Sequence, residues 1–188
     1  MKILATLSLL LALASPAGAA IIHDESVDGD LATDPSTPTP LAFTLGANTI
    51  IGTVSNPGTP DRDFITFTIP AGRVLTALNL LVLTPDNLAF VAFNSGATSF
   101  IPGGATIGSF LAGIHIAGAS VGSNLMPLFV SNSVTTNSLP APLLGPGVYS
   151  FIIQQTSNIV QPYSLEFVLD TETPAQTSTW GTIKALFR

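Results

Sequence analysis

The sequence predicts an all-β protein, an antiparallel β-sandwich of jelly-roll type over residues 41–170. Several short segments alternate apolar and polar residues, as strands do when one face is buried and the other is exposed. Glycine and proline turn signals separate these segments at the short spacing typical of sandwiches. Long amphipathic helical patterns do not alternate with the strands, which argues against a Rossmann fold or an α/β barrel.

The first strand signals follow Leu41. The stretch FTLGANTIIGTV contains two β-prone runs around Gly46-Ala47-Asn48, where we expect a tight turn. The next segment, DFITFTI at residues 63–69, alternates cleanly and predicts a strand with one face on the core. The face expected to be buried carries Ile65, Phe67 and Ile69, and the other face carries Phe64, Thr66 and Thr68.

Further strands are expected downstream, at residues 73–83, 87–93, 108–116, 125–131, 148–155 and 163–169. The turn signals beside them are Pro70-Ala71-Gly72, Pro85-Asp86, Pro102-Gly103-Gly104 and Gly145-Pro146-Gly147. Residues 95–140 give the weakest pattern, because they are rich in glycine, serine and alanine and contain no evident tandem repeat.

The first 19 residues have the order of a secretory signal peptide. Lys2 supplies the positive charge, an apolar run follows, and Ala17-Gly18-Ala19 is a small-x-small cleavage pattern. The apolar run is shorter than the roughly 20 residues that cross a bilayer as a helix. We therefore expect export and cleavage before Ala20; the alternative is a core helix of the folded domain.

Residues 20–40 form an acidic and proline-rich leader between the signal and the predicted sandwich. Five of the eleven acidic residues of the chain lie here: Asp24, Glu25, Asp28, Asp30 and Asp34. The stretch DPSTPTP follows, and its three prolines disfavour helix and favour an extended connector. The acids could hold a metal ion, belong to an active site, or keep a solvated and mobile leader soluble.

Composition excludes several classes of protein. There is no cysteine, so no disulfide stabilises the fold. Charged residues make up only 9% of the chain and the net charge is −6. Five lysines and arginines are too few for a patch that follows nucleic acid phosphates. Beyond the signal, polar residues, glycine and proline interrupt every apolar run, so no membrane span is expected.

The C-terminal tail, residues 171–188, is expected to lie outside the sandwich. In TWGTIKALFR, the spacing of Trp180, Ile183 and Phe187 would place them on one helical face. We expect a short tail that docks on the sandwich or frays. The alternative is a sorting or attachment signal, because this ending resembles the C-termini of some exported bacterial proteins.

Three stretches resemble landmarks of the bacterial pre-peptidase C-terminal domain family: DRDFITFTIPAG at residues 61–72, GPGVYSFIIQQ at 145–155 and YSLEFVL at 163–169. The resemblance covers Asp61 to Leu169. It implies a jelly-roll sandwich without catalytic activity, which assists localisation, secretion or attachment of secreted proteins. Some relatives bind collagen and hold calcium with an acidic N-terminal linker and aspartates before a strand.

The calcium ligands implied in this way are Glu25, Asp28 and Asp30 in the leader with Asp61 and Asp63 at the entry of a strand. Calcium takes six to eight oxygen ligands, which carboxylates and loop carbonyls supply. The pair in Asp28-Gly29-Asp30 lacks the twelve-residue spacing of an EF-hand. Such a site would clamp the leader to the sandwich, and the alternative remains a solvated leader without an ion.

Catalytic interpretations are weaker. GASVG at residues 118–122 matches G-x-S-x-G, but no histidine follows Ser120, since His23 and His115 precede it. Two distant histidines without cysteine also make a zinc site improbable. A glycosidase would need two preorganised acids, and outside the leader and strand entry only Asp86, Glu166, Asp170 and Glu172 remain.

These observations favour an exported, non-catalytic module that attaches to an extracellular polymer or to a surface protein, stabilised by calcium. The first alternative is a structural surface or matrix protein that self-associates, because sparse charge favours lateral packing. A carbohydrate-active enzyme is the distant alternative. The only tryptophan, Trp180, lies in the tail, which weakens the case for an aromatic sugar-binding platform.

Overall fold

The computed structural model describes residues 19–55, 60–85, 88–98, 110–155, 157 and 159–172. Nine strands occur in this part of the chain: β1 Ala20–Asp24, β2 Thr39–Pro40, β3 Gly46–Ser55, β4 Arg62–Ile69, β5 Arg73–Leu83, β6 Ala89–Ser95, β7 Ala112–Ile116, β8 Gly147–Gln155 and β9 Val160–Thr171. One sheet has the strand order β1-β3-β9-β5, and the other has the order β2-β4-β8-β6-β7. The predicted signal peptide and most of the predicted tail lie outside the described residues.

The all-β prediction is confirmed, and the core lies between the two sheets. On β4 the buried face carries Ile65, Phe67 and Ile69, as the alternation predicts. The ring of Phe167 on β9 meets that of Phe67 at 5.8 Å and that of Phe151 on β8 at 5.3 Å, centroid to centroid. Burying each such side chain contributes roughly 1.5–3 kcal/mol, so these contacts hold the two layers together.

The opposite face of the second sheet is also apolar in places. Phe64, predicted on the polar side of its strand, is buried in a second small cluster. The members of this cluster are Phe64, Phe90, Ala92, Phe110 and Ile152. Thr68, on the same face, is exposed. The predicted alternation of side chains is therefore correct, but the face predicted to be exposed is buried at Phe64.

Two pairings are parallel, so both sheets are mixed, whereas the sequence predicted an antiparallel sandwich. β1 runs parallel to β3, and β2 runs parallel to β4, while the other ladders are antiparallel. Both parallel strands come from the leader, which was expected to precede the sandwich. β2 has two residues and ends in Pro40, and proline is tolerated on an edge strand because no ladder donor is needed there. Among the described residues, the sandwich therefore includes the leader from Ala20 onward.

The expected turn at Gly46-Ala47-Asn48 is also wrong, because β3 begins at Gly46 and runs without a break. The side chain of Asn48 is fully buried and holds the backbone just before the strand. It accepts from the backbone N–H of Thr44 at 2.7 Å and donates to the Thr44 carbonyl at 2.9 Å. Gly46 has φ +94°, a conformation that favours glycine. The chain thus changes direction before β3, and not within the residues 46–48 that the sequence pattern indicates.

The strand predicted at 125–131 is a helix. Helix α1 spans Glu25–Asp28, a 3-10 turn spans Gly118–Ser120, and helix α2 spans Met126–Ser131. A proline in the first turn suits a helix start, and α2 buries Met126 and Phe129, three residues apart. The predicted strand at 73–83 matches β5 residue for residue. None of the helices in the described part of the chain is long and apolar enough to cross a bilayer.

Candidate metal centre

Within the leader, α1 forms a single helical turn directly after β1. Asp24 caps α1, because its carboxylate accepts from the backbone N–H of Ser26 at 3.0 Å. The turn ends at Gly29, whose φ of +90° lets the chain leave the helix. His23 is buried, and its Nε2 lies 3.0 Å from the carbonyl oxygen of Gly29. This arrangement places Glu25 and Asp30 on the two sides of one short turn.

Glu25 ties this turn to strand β3. Its Oε2 accepts from the backbone N–H of Thr53 at 2.7 Å, and its Oε1 accepts from the N–H of Leu31 at 3.3 Å. The side chain is half-buried, and burial raises the pKa of its carboxyl although both backbone donors favour the charged form. Glu25 therefore has a fixed position rather than the freedom expected of a solvated acid.

Gly52 makes room for this arrangement. A Cβ at this position would lie 2.6 Å from the hydroxyl oxygen of Tyr163 and 2.9 Å from Cδ of Glu25. Gly52 stands opposite Tyr163 in the ladder between β3 and β9. Only a residue without a side chain lets the phenol and the carboxylate approach each other here.

Asp63 is the buried member of the site. It lies on the core-facing side of β4 and is only 1% exposed. Its Oδ2 accepts a hydrogen bond from the Tyr163 hydroxyl at 2.6 Å, and its Oδ1 is buried without a hydrogen-bond partner. Burial, followed by the charge of Glu25, raises the pKa of Asp63 to about 9. Alone, this carboxyl therefore keeps its proton at neutral pH.

Three carboxylates converge at this point. Glu25, Asp30 and Asp63 each offer one oxygen, and these oxygens lie within 4.8 Å of one another. They range from exposed Asp30 to buried Asp63. A solvent-open cleft of about 420 Å³ adjoins them, lined on the strand side by Ile51, Gly52 and Thr53. Such a set of hard oxygen donors with access to water suits a cation such as calcium.

Asp61 stands at the edge of this cluster. Its Oδ1 is buried and has no hydrogen-bond partner, and burial together with the charge of Asp30 raises its pKa. Its backbone pairs with Ser55 at the end of β3, which holds it beside the leader. Asp61 therefore lies close enough to interact electrostatically with the three converging carboxylates, without being one of them.

Asp28 is not brought into the cluster, in contrast to its predicted role as a ligand. Its Oδ2 accepts from the backbone N–H of Asp24 at 2.9 Å, which closes the turn of α1. Asp34 similarly accepts from the N–H of Ser36 at 2.8 Å. The acids of the leader thus have two roles: Glu25 and Asp30 face the cluster, whereas Asp24, Asp28 and Asp34 fix the leader backbone.

Sequence reasoning did not identify Gly52 and Tyr163 as parts of the site. Tyr163 is fully buried, and its hydroxyl donates to Asp63. A glycine inside a β-prone run can indicate close approach of another group, and Gly52 carries that signal. Nothing local, however, indicates which group approaches it.

The other candidate residues that the structure describes are not arranged for catalysis. Ser120 ends a 3-10 turn, and its Oγ lies 3.5 Å from the backbone nitrogen of Ala117, so the strand–helix elbow of a hydrolase is not formed there. His115 is exposed on β7 against the ring of Phe90. Glu166 accepts from the side chain of Asn79 at 2.8 Å. Asp86 and Trp180 lie outside the described residues.

Comparison with known proteins identifies no family. No family model matches the chain. No curated protein matches it either. Among solved structures, it is similar to PliG of Salmonella Typhimurium, a periplasmic inhibitor of g-type lysozyme, with 14% identity. That match covers 71% of this chain and all of the PliG chain, with a TM-score of 0.35, a level at which we transfer neither fold nor function.

Proposed function

We propose that the protein is an exported, non-catalytic β-sandwich that attaches to an extracellular polymer or surface protein and is stabilised by calcium. The observation that carries the calcium proposal is the Asp63 carboxylate, which converges with Glu25 and Asp30 and has one buried oxygen, Oδ1, without a hydrogen-bond partner. A buried polar atom without a partner costs free energy, and a cation at this position would remove that cost.

The donor set fits a hard divalent cation. Calcium tolerates irregular shells of six to eight oxygens, and the adjoining cleft admits water to complete a shell that carboxylates begin. Glu25 already accepts two backbone hydrogen bonds, yet a carboxylate has about four lone-pair sites and can also bind a cation. Asp61, with a buried oxygen that has no partner, is a candidate fourth ligand.

The position of the cluster supports a structural role for the cation. Glu25 and Asp30 belong to the leader, whereas Asp63 belongs to β4 in the second sheet. A bound cation would therefore connect the leader to the sandwich. The burial of Asp63 argues against a role for this carboxyl as the acid or base of a glycosidase, because it is only 1% exposed.

Attachment is favoured over lateral assembly by strand pairing, because the described sheet edges are short or covered. Along β5, the N–H of Leu80 donates to Ser123 and the N–H of Leu75 donates to Leu144. The N–H of Val134 donates to Gly113 on β7. β1 is bulged and β2 has only two residues. Proteins protect edges in these ways against association with other strands.

The resemblance to the pre-peptidase C-terminal domain family, with its jelly-roll topology, remains part of this proposal. Two of its landmarks, the DRDF and Gly-x-Tyr stretches, lie on β4 and β8, which are neighbours in one sheet. The third landmark, YSLEFVL, includes Tyr163, whose hydroxyl donates a hydrogen bond to Asp63 in the DRDF stretch. Export is proposed from the signal-like residues 1–19.

The experiment is a calcium titration of the mature protein, residues 20–188, by calorimetry and by thermal unfolding, with magnesium in parallel. We expect saturable binding and, at a hundredfold excess over Kd, stabilisation by about 2.7 kcal/mol. Trypsin is a poor probe of the leader because it lacks lysine and arginine, so protection is followed with Glu-C protease. If calcium produces neither heat nor stabilisation, the cation proposal is wrong.

Attachment is tested separately by co-sedimentation of the calcium-loaded protein with insoluble polysaccharides, cell walls and protein fibres. Retention on one of these, with a monomer in sedimentation velocity, supports a binding module. Concentration-dependent growth into large assemblies without retention would instead support the structural alternative.

A further inference from the structure

A surface groove of about 630 Å³ lies where the described part of the chain ends. Its walls come from the start of β5, the end of β9 and the loop before β8, and they consist of Val74, Thr76, Leu143, Asp170, Thr171 and Glu172. Leu143 is 42% exposed, so it presents apolar surface to this groove. The groove therefore offers an apolar contact directly beside the last described residues.

Two carboxylates flank this apolar contact. Asp170 is held in place because its Oδ2 accepts from the hydroxyl of Thr76 at 2.6 Å. The backbone N–H of Glu172 donates to the carbonyl of Gly72 at 2.9 Å, which fixes the chain at the rim. Arg73 is adjacent to Val74 on β5, and strand alternation directs it to the opposite face. A complementary ligand would carry apolar side chains next to positive charges.

The remaining segment of the chain has this composition. Residues 180–188 carry Trp180, Ile183 and Phe187 at helical spacing, and Lys184 and Arg188 four residues apart. After residue 19 the chain has four lysines and arginines, and this segment contains two of them. Apolar and basic character thus coincide in the same nine residues.

We propose that residues 180–188 dock in this groove within the same chain, with their apolar stripe on Val74 and Leu143 and their basic side chains beside Asp170 and Glu172. The reach is sufficient, because the seven residues 173–179 span up to about 23 Å when extended. A helix this short is marginal by itself in water, so its order depends on the groove. The inference is independent of the cation site.

Trp180 makes the proposal directly testable, because it is the only tryptophan and its fluorescence reports on the tail alone. In the mature full-length protein at low salt, we expect blue-shifted emission and weak quenching by acrylamide, both independent of protein concentration. Emission like that of free tryptophan in water would overturn the proposal. A blue shift that appears only at high concentration would also overturn it, because a second copy would then be the partner.

The groove variants are Leu143→Ser and the double change Asp170→Asn with Glu172→Gln. Each should shift the emission toward that of exposed tryptophan and raise the acrylamide quenching constant severalfold. Val148→Ser, at an equally exposed valine on β8, is the matched control and should change neither quantity. If the control and the groove variants behave alike, or if Trp180 stays buried in the groove variants, the tail does not dock there. Far-ultraviolet circular dichroism verifies that each variant is folded.

Discussion

The hydroxyl of Tyr163 donates a 2.6 Å hydrogen bond to Oδ2 of Asp63, and both groups are buried. Tyr163 lies on β9 in the first sheet, and Asp63 lies on β4 in the second. The bond therefore connects the two layers of the sandwich at the end where the leader packs. The other oxygen, Oδ1, is buried without a hydrogen-bond partner.

Replacing Tyr163 by phenylalanine removes this hydrogen bond with little change in shape. Both oxygens of Asp63 then lack a partner, and we expect a loss of about 1–3 kcal/mol in the free energy of unfolding. Calcium affinity should fall as well, because Asp63 is no longer held in one orientation. Urea unfolding with and without calcium measures both effects.

Tyr149→Phe is the matched control for this substitution. Tyr149 donates to the carbonyl of Gly145 at 3.1 Å, away from the acids, so its loss should cost no more than about 1 kcal/mol and leave calcium affinity unchanged. Equal effects of the two substitutions on calcium affinity would mean that Tyr163 does not position Asp63.

Gly52→Ala should disrupt the site sterically. The new methyl group would lie 2.6 Å from the Tyr163 hydroxyl and 2.9 Å from Cδ of Glu25, so at least one of them must move. We expect destabilisation of about 1–3 kcal/mol, the usual cost of overpacking, together with weaker calcium binding. Thermal unfolding and calorimetry measure the two consequences.

Gly145→Ala is the comparison for Gly52→Ala, since a Cβ there would meet nothing within 4 Å and its φ is not positive. We expect it to be neutral or to stabilise by about 0.4–1 kcal/mol through the unfolded state. A mild effect at Gly52 that matches the effect at Gly145 would contradict the close approach described above.

The sequence predicts those parts of the fold whose signal is local. The alternation in β4 follows from residues two apart, and β5 has turn signals at both ends, so their positions were found. Helix α2 was missed because LMPLFVS is almost wholly apolar, and such a run has no decisive period. The leader strands were missed because parallel pairs of two to five residues leave no pattern in the sequence.

Some residues of the candidate site also have a local signal in the sequence, whereas others are brought to the site only by the fold. The acidity of the leader and of the entry to β4 is visible in the sequence, which led to Glu25, Asp28, Asp30, Asp61 and Asp63, three of which converge. The partner of Asp63 is 100 residues away, so the fold alone brings Tyr163 to it. Asp28 is the last residue of α1, whereas Asp30 follows the Gly29 cap, and residue type alone does not encode this difference.

Asp63→Asn separates cation binding from the stability of the fold. Because the pKa of Asp63 is raised to about 9, this carboxyl is neutral at pH 7 without a cation, and an amide is a close substitute. We expect the calcium-free stability at pH 7 to be unchanged or higher. The stabilisation by calcium should disappear, because the buried ligand oxygen no longer carries charge.

Asp28→Asn provides the contrast to Asp63→Asn. Asp28 accepts from the backbone N–H of Asp24 outside the cluster. Its replacement should therefore lower the free energy of unfolding by at most about 1 kcal/mol, and calcium should still stabilise the variant. Calorimetric titration of both variants with calcium measures whether each still binds the cation. Retained calcium binding in the Asp63 variant would exclude Asp63 as a ligand.

Without a cation, the protein should lose stability as the pH rises. The pKa of Asp63 is raised from 3.8 to about 9, so the folded state holds a proton that the unfolded state releases. This contribution is complete below pH 3.8, decreases by up to about 1.4 kcal/mol per pH unit between the two pKa values, and is lost above pH 9. Burial raises the pKa of Glu25 and Asp61 in the same direction. The lowered pKa values of Asp24 and Asp34 act oppositely, but only in the acid range.

Urea unfolding in chelator from pH 5 to pH 9 measures this slope, and Asp63→Asn should flatten it. Bound calcium should remove the contribution of Asp63 to this slope, because the cation replaces the proton on its carboxyl. The folded state then has no proton on Asp63 to release as the pH rises. Binding must then release protons, and the binding enthalpy at pH 7 should vary with the ionisation enthalpy of the buffer. An enthalpy that is the same in all buffers would mean that Asp63 is already ionised before calcium binds. A pH slope equal in the wild type and in Asp63→Asn would place the proton on another group.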